Sequence, residues 1–408
     1  MSTDIDFYQM DEDDPRALIS KYMLHTYNMG LTTTSGGNLS VFDKSGRIFI
    51  TPGGTDKGVM TPEDIVVVEK DGSMTGGHKP SSELPFHKRI YASNSEFRAV
   101  LHAHSPEISA FSAVRVLPDS TIFSGSLLVE KKIVMAEYEL TGSEALGEVI
   151  FKKFREGADI VVMENHGMIS AAKTMREAYG QFEALEFAAH THRLVNCIPF
   201  NKHSEERVDI SDEPGYKRED IVLLSDDIPG YNRESGVLKA FLNRAYQKGL
   251  IASLDDSFSL RCDDGKILMG SARYAMLHAA LYETHPECNA IFLAHPPAIT
   301  AFCVCGRRID TSLIPESYMV LQEVGYLNTA LLKMGSRAIA ENVAQNETLV
   351  MLENDGVFAL GKTAAQAFDR LEVAEFSART QIQSKMIGEP VSIPEDKIHE
   401  LKTRFGLR

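Results

Sequence analysis

The sequence repeats itself once, and this repeat limits the folds that the chain can adopt. Residues 87–111 align without a gap on residues 278–302 at an offset of 191, and ten of the 25 aligned positions are identical. A period near 190 residues is typical of a duplicated domain, because solenoid repeats are several times shorter. The 408 residues are therefore expected to form one fold twice.

The repeat extends in both directions with changes of offset. Downstream, residues 164–167 match residues 353–356 at an offset of 189, and upstream residues 27–48 match residues 246–267 at an offset of 219. The drop from 219 to 191 means that 28 residues are missing from the second copy. The missing segment falls between a predicted β hairpin and the helix that carries His278.

Both copies contain the same order of predicted elements. A helix (about 14–30 in the first copy and 233–249 in the second) ends at a glycine, as many helices do. The further predicted elements are β runs at Leu39–Phe42, Ile48–Ile50, Phe258–Leu260 and Ile267–Met269, a helix near 83–93, strands near 98–103 and at Asp159–Met163, and closing helices at about 174–196 and 363–387. Strands interleaved with helices predict an α/β layered domain.

The formal net charge of -15 is concentrated in two segments. Residues 1–14 carry a net charge of -6 and residues 205–235 carry another -6, which leaves -3 for the rest of the chain. Pro-Gly pairs at 214–215 and 229–230 punctuate the second segment, so we interpret it as a linker. The predicted organisation is an acidic leader at 1–14, a catalytic domain at 15–204, an acidic linker at 205–232, a degenerate second domain at 233–395 and a C-terminal tail at 396–408.

Composition excludes several classes of protein. An excess of acidic residues, 57 against 42 basic ones, disfavours nucleic acid and anionic lipid as partners. The acidic amino terminus contains no apolar signal-peptide core, and no apolar run approaches the roughly 18 residues of a membrane helix. The five cysteines form no staple pattern, and we interpret Cys303 and Cys305 as buried residues and not as a redox pair. We therefore expect a cytoplasmic protein.

Three histidines have the sequence spacing that is typical of metal ligands. His102 and His104 lie at the carboxyl end of a predicted strand, and side chains at i and i+2 project from one face, so both imidazoles can point at one ion. His166 follows a second predicted strand and precedes a turn at Gly167. Three histidines from two strand ends indicate an open metal site of catalytic type. A cupin also uses a His-x-His pair, but its glutamate spacing is absent and this chain is rich in predicted helices.

Glu83 and three loops are further candidates. Glu83 opens a predicted helix, where a carboxylate is ordinary because the helix dipole favours it. The preceding Ser81-Ser82 pair could bind a phosphate through hydroxyl and free N–H groups. Residues 35–38 and 51–54 each contain two adjacent glycines that let a ligand approach backbone amides. Taken singly, such loops are more often simple turns.

Taken in order, these motifs resemble those of the class II aldolase/adducin family, which includes L-fuculose-1-phosphate aldolase and L-ribulose-5-phosphate 4-epimerase. The motifs are S-G-G-N, I-T-P-G-G, P-S-S-E-x3-H, H-A-H and N-H-G, and they span most of residues 15–197. The resemblance implies a three-layer α/β/α domain with a central, mainly antiparallel sheet, present twice.

The resemblance also implies the roles of the site residues. His102, His104 and His166 would bind zinc, with another divalent metal as the alternative, and Glu83 would be the catalytic base. Phosphate binding would fall to Ser35, Asn38, Gly54, Ser81 and Ser82. His87 matches a family position without a ligand role, and we interpret it as a core histidine or one that supports the site.

The parts of the site imply a chemistry. Zinc held there would polarise the hydroxyl and carbonyl oxygens of a keto-sugar phosphate and stabilise the enediolate expected on C–C cleavage, and Glu83 would shuttle the proton. The expected function is a zinc-dependent, aldolase-type lyase acting on a small sugar phosphate. A sugar-phosphate epimerase or dehydratase with the same metal site is one alternative, and an adducin-like interaction protein is another. The general acid is not identified by any pattern, and Tyr138 is a candidate.

The second copy is predicted to be non-catalytic. At the aligned positions His102 becomes Leu293, His166 becomes Asp355 and Glu83 becomes Tyr274, which leaves only His295 of the metal set. We expect His295 and Asp355 to form a structural pair. Because family members assemble as ring-like tetramers with active sites at subunit boundaries, the second copy is interpreted as a scaffold. The expected assembly is a homo-oligomer, either a dimer of double domains or a tetramer.

Overall fold

The computed structural model divides the chain into two compact units. Residues 1–120 and 127–189 form the first, and residues 121–126 and 190–408 form the second. The structure describes residues 13–123, 128, 130–199, 207–210, 220–225, 228, 230–252 and 257–407. Residues 1–12 of the predicted leader and residues 205–206, 211–219, 226–227 and 229 of the predicted linker lie outside the described residues. The predicted domain limits of 15–204 and 233–395 stay predictions.

The first copy is built on an eight-stranded sheet. Its elements are α1 (Pro15–Asn28), β1 (Asn38–Phe42), β2 (Ile48–Ile50), β3 (Val66–Val68), β4 (Met74–Thr75), α2 (Leu84–Ser93), β5 (Ala99–Ala103), α3 (Pro106–Ala113), β6 (Ile133–Ala136), α4 (Glu144–Arg155), β7 (Ile160–Met163), β8 (Met168–Ala172) and α5 (Met175–Val195). The strand order is β4-β3-β2-β1-β5-β8-β7-β6. Neighbouring strands are antiparallel except β6 and β7, which are parallel.

The second copy is built on a seven-stranded sheet. Its elements are β9 (Ile221–Leu223), α6 (Asn232–Gln247), β10 (Ser257–Arg261), β11 (Ile267–Met269), α7 (Ala275–Thr284), β12 (Ala290–Ala294), α8 (Pro297–Val304), α9 (Pro315–Leu321), β13 (Gly325–Leu327), α10 (Thr329–Leu332), α11 (Ser336–Glu341), β14 (Leu349–Leu352), β15 (Val357–Gly361), α12 (Ala364–Ile387) and α13 (Glu395–Phe405). The strand order is β13-β14-β15-β12-β10-β11-β9, parallel at both edges and antiparallel between them. Helix α13 occupies most of the predicted tail.

The same strand register recurs in both sheets. His102 on β5 lies opposite Asn38 on β1 and Ile169 on β8, and Leu293 on β12 lies opposite Ser257 and Phe358 in the same way. These pairs are the ones that the sequence offsets predict. The predicted duplication and the mainly antiparallel sheet are therefore confirmed.

The 28 missing residues correspond to an edge of the sheet. In the first copy β3 and β4 cover the outer side of β2. In the second copy β9, which lies inside the segment interpreted as a linker, pairs with β11 at that edge instead. A strand edge without a neighbour exposes unpaired N–H and C=O groups, and β9 satisfies them.

Helices cover both faces of each sheet. On β12, Leu293 joins the apolar cluster beneath α7 and α11. The next residue towards the N-terminus, Phe292, points to the opposite face and packs on Phe241 of α6, which contacts Phe368 of α12. The first copy repeats this layering, with α2 and α4 contributing to one core cluster.

The predicted elements agree closely with the observed ones. The strands Ile48–Ile50 and Ile267–Met269 have the predicted limits, and the predicted helices differ from the observed ones by one or two residues at their ends. Helix α1 ends as predicted before Gly30, which adopts φ 71°. Within the described residues, no helix has the length and apolar character that a membrane crossing requires. All five cysteines are free, and Cys303 and Cys305 are buried.

A buried glutamate fixes the chain where it leaves each central strand. Glu186 on α5 accepts hydrogen bonds from Ser105 Oγ (2.7 Å) and from the amides of Glu107 and Ile108 (both 2.9 Å) at the start of α3. Glu375 on α12 accepts hydrogen bonds from the first amides of α8 in the same way. These contacts satisfy helix N-terminal donors that would otherwise be orphaned. Because Ser105 directly follows His104, Glu186 also holds the end of β5 in place.

We predict that Glu186→Ala lowers the free energy of unfolding by about 2–4 kcal/mol, because buried donors lose their acceptor. Urea denaturation of the full chain measures this change. Glu96→Ala is the matched control, since Glu96 is exposed and pairs with Lys173 on the surface at 3.1 Å. Its loss should cost less than about 1 kcal/mol. Equal denaturation midpoints for the two variants would contradict the assigned role of Glu186.

Candidate metal centre

Three imidazoles converge at one end of the first sheet. The ring centroids of His102 and His104 lie 4.7 Å apart, and each lies 5.0 Å from that of His166. One ligand atom from each histidine lies within 4.8 Å of the others. In the described part of the chain this is the one such group of three possible metal ligands. The sequence-predicted histidine cluster is therefore present in the structure.

The backbone explains how His166 reaches the other two. It lies in the tight turn between β7 and β8, where Asn165 takes the left-handed region at φ 54°. The next residue, Gly167, packs so closely that a Cβ atom would lie 2.5 Å from the carbonyl oxygen of Ala103. Only glycine allows this approach, which brings the turn against the end of β5.

Burial favours the neutral form of the histidines, and a backbone contact fixes the tautomer of His102. His102 is fully buried, and its Nδ1 contacts the carbonyl oxygen of Met168 at 2.8 Å, so Nδ1 carries the proton. Nε2, which lies 3.0 Å from His104 Nε2, then keeps the lone pair that a metal needs. Burial, reinforced by His104, lowers the pKa of His102 to about 3. Burial and His102 lower the pKa of His166 to about 4, although Glu83 opposes the shift. Neutral imidazoles are the form that binds metal.

Glu83 lies beside the histidine cluster. It occupies the N-cap position of α2 without using its side chain as a cap. Its Oε2 lies 3.3 Å from His102 Nε2 and its Oε1 lies 3.7 Å from His166 Nε2. Oε1 is buried and has no hydrogen-bond partner within the described residues. The ordinary helix-start explanation of this carboxylate therefore does not account for its position.

A chain of buried hydrogen bonds orients Glu83. The amide Nδ2 of Asn38 donates to Glu83 Oε2 at 2.6 Å, so Asn38 Oδ1 faces His87 Nε2 at 2.5 Å. That nitrogen must then carry the proton, and His87 Nδ1 accepts from Ser40 Oγ at 2.6 Å. Ser40 Oγ is in turn 2.6 Å from the hydroxyl of Tyr91. Every donor in the chain points towards the carboxylate, so the chain fixes its orientation.

The phosphate-binding candidates divide into two groups. Ser35, Gly54 and Ser82 are exposed on neighbouring loops, as a ligand site requires. Ser81 is buried, and its Oγ accepts a hydrogen bond from the Glu83 amide at 3.3 Å. Both side-chain amide atoms of Asn38 are engaged by Glu83 and His87, so its side chain supports the carboxylate.

The sequence did not reveal the link between Asn38 and Glu83. The spacing of Asn38 and Ser40 on one face of a strand was visible, but the pairing crosses 45 residues to Glu83 and depends on the tertiary fold. One signal was available, because Ser40, His87 and Tyr91 all recur in the second copy. Tyr138, the candidate acid, is 53% exposed just after β6.

The equivalent site in the second copy is closed. His295 Nε2 contacts Asp355 Oδ1 directly at 2.7 Å, and both residues are buried. Tyr274 Oη lies 3.3 Å from His295 Nε2, and Phe123 stacks on the His295 ring at a centroid distance of 4.7 Å. Leu293 occupies the position of His102. The geometry agrees with the expected structural pair.

The donor set of the first copy fits a divalent transition metal. Three imidazole nitrogens from two strand ends leave further coordination positions open, as in catalytic zinc sites. Imidazole also suits copper, iron and nickel, so the donors do not specify zinc by themselves. The contact of His102 Nδ1 with a backbone carbonyl is the support that metal-binding histidines usually have.

Two segments of the sequence match one protein family. The family is described as Class II Aldolase and Adducin N-terminal domain, and the matches cover residues 17–192 and 245–382. Together they cover more than half of the 408 residues. The two segments correspond to the two copies of the repeat.

Relatives with known names match about two fifths of the chain. L-fuculose phosphate aldolase from Methanococcus maripaludis is 34% identical over 177 residues, which is 42% of this chain and 92% of that protein. 5-deoxy-D-ribulose 1-phosphate aldolase from Bacillus thuringiensis is 31% identical, over 45% of this chain and 86% of that protein. 3-oxo-tetronate 4-phosphate decarboxylase from Haemophilus influenzae is 30% identical, over 40% of this chain and 79% of that protein. Relatives of similar identity therefore differ in the reaction that their names describe.

We predict that the purified chain binds about one divalent ion, because only the first copy keeps three convergent imidazoles. His102→Ala and His166→Ala should each lose most of this metal, and elemental analysis by mass spectrometry measures it. His295→Ala, at the position aligned with His104, is the matched control and should keep the wild-type metal content. A metal content near two per chain, or one that depends on His295, would refute the assignment.

Proposed function

The chain belongs to the Class II Aldolase and Adducin N-terminal domain family and is an enzyme of class II aldolase type, and on that premise we propose that it is a zinc-dependent lyase. It breaks or forms a carbon–carbon bond in a small sugar phosphate. The observation that carries this proposal is the buried Glu83 carboxylate beside three neutral imidazoles.

His102, His104 and His166 are the proposed metal ligands. A divalent ion held there, which we propose to be zinc, supplies Lewis-acid polarisation of hydroxyl and carbonyl oxygens. The low pKa values of the buried imidazoles keep their lone pairs available across the physiological pH range. Burial also lowers the dielectric around the site, which strengthens every electrostatic interaction in it.

Glu83 is the proposed general base. Its Oε2 is fixed by Asn38, while its Oε1 has no hydrogen-bond partner among the described residues and can accept a proton from a substrate carbon or hydroxyl group. General base catalysis of this kind contributes about 10²–10⁴-fold. The hydrogen-bond chain through Asn38 and His87 restricts the carboxylate to one orientation, which is what a positioned base needs.

The proposed phosphate contacts come from three loops. Ser35, Gly54 and Ser82 present exposed groups, Ser81 supports the last loop from inside, and Asn38 links the first loop to Glu83. Within the described residues, the amides of Gly54 and Ser82 donate to no other group of the protein. Free amides of this kind suit a phosphate oxygen.

A decarboxylase is the alternative that a relative supports. The name of the Haemophilus influenzae protein describes decarboxylation of a phosphorylated oxo acid. Decarboxylation of a 3-oxo acid and aldol cleavage both break a C–C bond of the carbon atom that is α to a carbonyl group. One site can therefore serve either reaction. Epimerisation and dehydration remain further alternatives, and a purely adducin-like interaction role would leave the Glu83 arrangement without a purpose.

We predict that the zinc-loaded chain cleaves one member of a panel of ketose phosphates and that the unphosphorylated sugars react far more slowly. Glu83→Gln should reduce turnover by about 10²-fold or more, because the amide keeps the shape but cannot accept the proton, while metal content stays unchanged. Product identification by NMR separates aldehyde release from an epimer or from CO₂.

Tyr274→Phe is the matched control for Glu83→Gln. Tyr274 occupies the aligned position in the second copy, so its change should leave turnover unaltered. Retained activity in Glu83→Gln would refute the base assignment. A chain that holds no divalent metal when purified without chelator would favour the adducin-like alternative.

We also propose that the chain works as a cytoplasmic homo-oligomer. Enzymes of this class act on sugar phosphates, which are intracellular metabolites. Light scattering should give a mass of at least twice 45.2 kDa. A stable monomer at micromolar concentration would contradict this proposal.

A further inference from the structure

Lys57 is an ammonium group buried beside the proposed phosphate loops. Its side chain is 1% exposed and lies at the start of a short 3-10 helix, Lys57–Val59. Its Nζ donates to the carbonyl oxygen of Pro52 at 3.0 Å. In the described part of the chain, no carboxylate lies within 4.0 Å of Nζ. A buried cation with only a neutral partner is unfavourable unless an anion compensates it.

The three proposed phosphate loops are joined around this residue. The Lys57 amide donates to the Thr34 carbonyl at 3.0 Å, which ties it to the loop of Ser35. Its ammonium group holds Pro52, which forms an isolated antiparallel bridge with Pro80. Beside that bridge, Gly53 donates to the carbonyl of Lys79 and Ser81 donates to that of Thr51, each at 3.1 Å. Lys57 therefore contacts two of the loops directly and the third through one pair of bonds.

The charge of Lys57 lies close enough to act on a bound phosphate. The Gly54 amide belongs to the peptide unit directly after that of the Pro52 carbonyl, so Nζ lies within about 9 Å of it. Because Lys57 is buried, salt screens its charge less than it screens the charge of a surface lysine. The neighbouring Asp56 does not neutralise it, because that carboxylate is exposed and caps the Gly58 amide at 2.8 Å.

We propose that Lys57 is the buried counter-charge of the substrate phosphate and sets the preference for phosphorylated over unphosphorylated ligands. This inference rests on the proposed function, because it assumes that the three loops bind phosphate. Burial lowers the pKa of Lys57 to about 8, so the ammonium form predominates at neutral pH and a nearby phosphate stabilises it further. The second copy lacks the corresponding segment, as it lacks the rest of the site.

The test measures the binding of inorganic phosphate to the full chain by isothermal titration calorimetry. Lys57→Met should raise the dissociation constant for phosphate by about 10- to 30-fold, because one nearby positive charge is lost. Lys70→Met removes the same charge from an exposed turn of the same unit and should leave phosphate binding unchanged. Repeating both measurements with His102→Ala protein excludes phosphate bound at the metal, and the loss caused by Lys57→Met should persist.

Thermal unfolding separates this role from a structural one. Because Lys57→Met removes an uncompensated buried charge, its Tm without phosphate should equal or exceed that of the wild type. A residue that only clamps the loop would show a lower Tm with an unaltered phosphate affinity, and that result overturns the proposal. Lys57→Gln, which can still donate to Pro52, should lose phosphate affinity to a similar extent and serves if the Met variant does not fold.

The outcomes also separate this inference from the proposed function. If the wild type and Lys57→Met bind phosphate with equal affinity, the role of Lys57 is overturned and the proposed function is not. Wild-type protein that binds metal but no phosphate overturns both the phosphate loops and the role of Lys57. Selective loss in the two Lys57 variants, with normal binding in Lys70→Met, supports both.

Discussion

The pairing register of the antiparallel strands β1, β5 and β8 positions the side chains of the site. His102 reaches the histidine cluster because β5 pairs with β1 and β8 so that His102 lies opposite Asn38 and Ile169. A slip of one residue would turn His102 to the other face, since side chains alternate along a strand. It would also separate Asn38 from Glu83, because Asn38 and Ser40 share the face that meets α2. The close contact of Gly167 with Ala103 then adds His166 to a cluster that the sheet has already positioned.

The motifs that carry chemistry were readable from the sequence because they are local. His102 and His104 follow a recognisable strand, His166 precedes a turn glycine, and Glu83 opens a helix. That these side chains meet at one site could be predicted only from the resemblance that the whole ordered set of motifs carries. Asn38 shows the limit of this approach, because a hydrogen bond between residues 45 positions apart has no local signature.

Other features could not be predicted because competing local signals hid them. Ile221–Leu223 is a three-residue apolar run inside an acidic, proline-punctuated segment, so composition indicated a linker although the open edge of β11 recruits it as a strand. Phe123 follows no periodic pattern, yet it packs on His295 in the second unit. In both cases a tertiary neighbour that lies far away in sequence decides the local structure.

The duplication separates what the fold needs from what the chemistry needs. Both copies keep the Ser–His–Tyr hydrogen bonds, as Ser40, His87 and Tyr91 in the first and as Ser259, His278 and Tyr282 in the second. Both copies also keep the buried glutamate on the closing helix, Glu186 or Glu375, and the closely packed glycine, Gly167 or Gly356. We therefore assign these shared groups to stabilising the fold. In the second copy Ser257 replaces Asn38, and His278 Nε2 has no hydrogen-bond partner among the described residues.

The groups found only in the first copy are therefore the ones assigned to chemistry. They are Asn38, Lys57, Glu83, His102 and His166. All five are buried or nearly so. In the part of the chain that the structure describes, one carboxylate oxygen of Glu83 has no hydrogen-bond partner and the Lys57 ammonium has no carboxylate within 4.0 Å. Such arrangements lower stability, and the second copy has replaced them with a leucine, a direct His295–Asp355 contact and a deletion. A buried group left without a partner in one copy, and removed from the other, is best explained by a ligand that completes it.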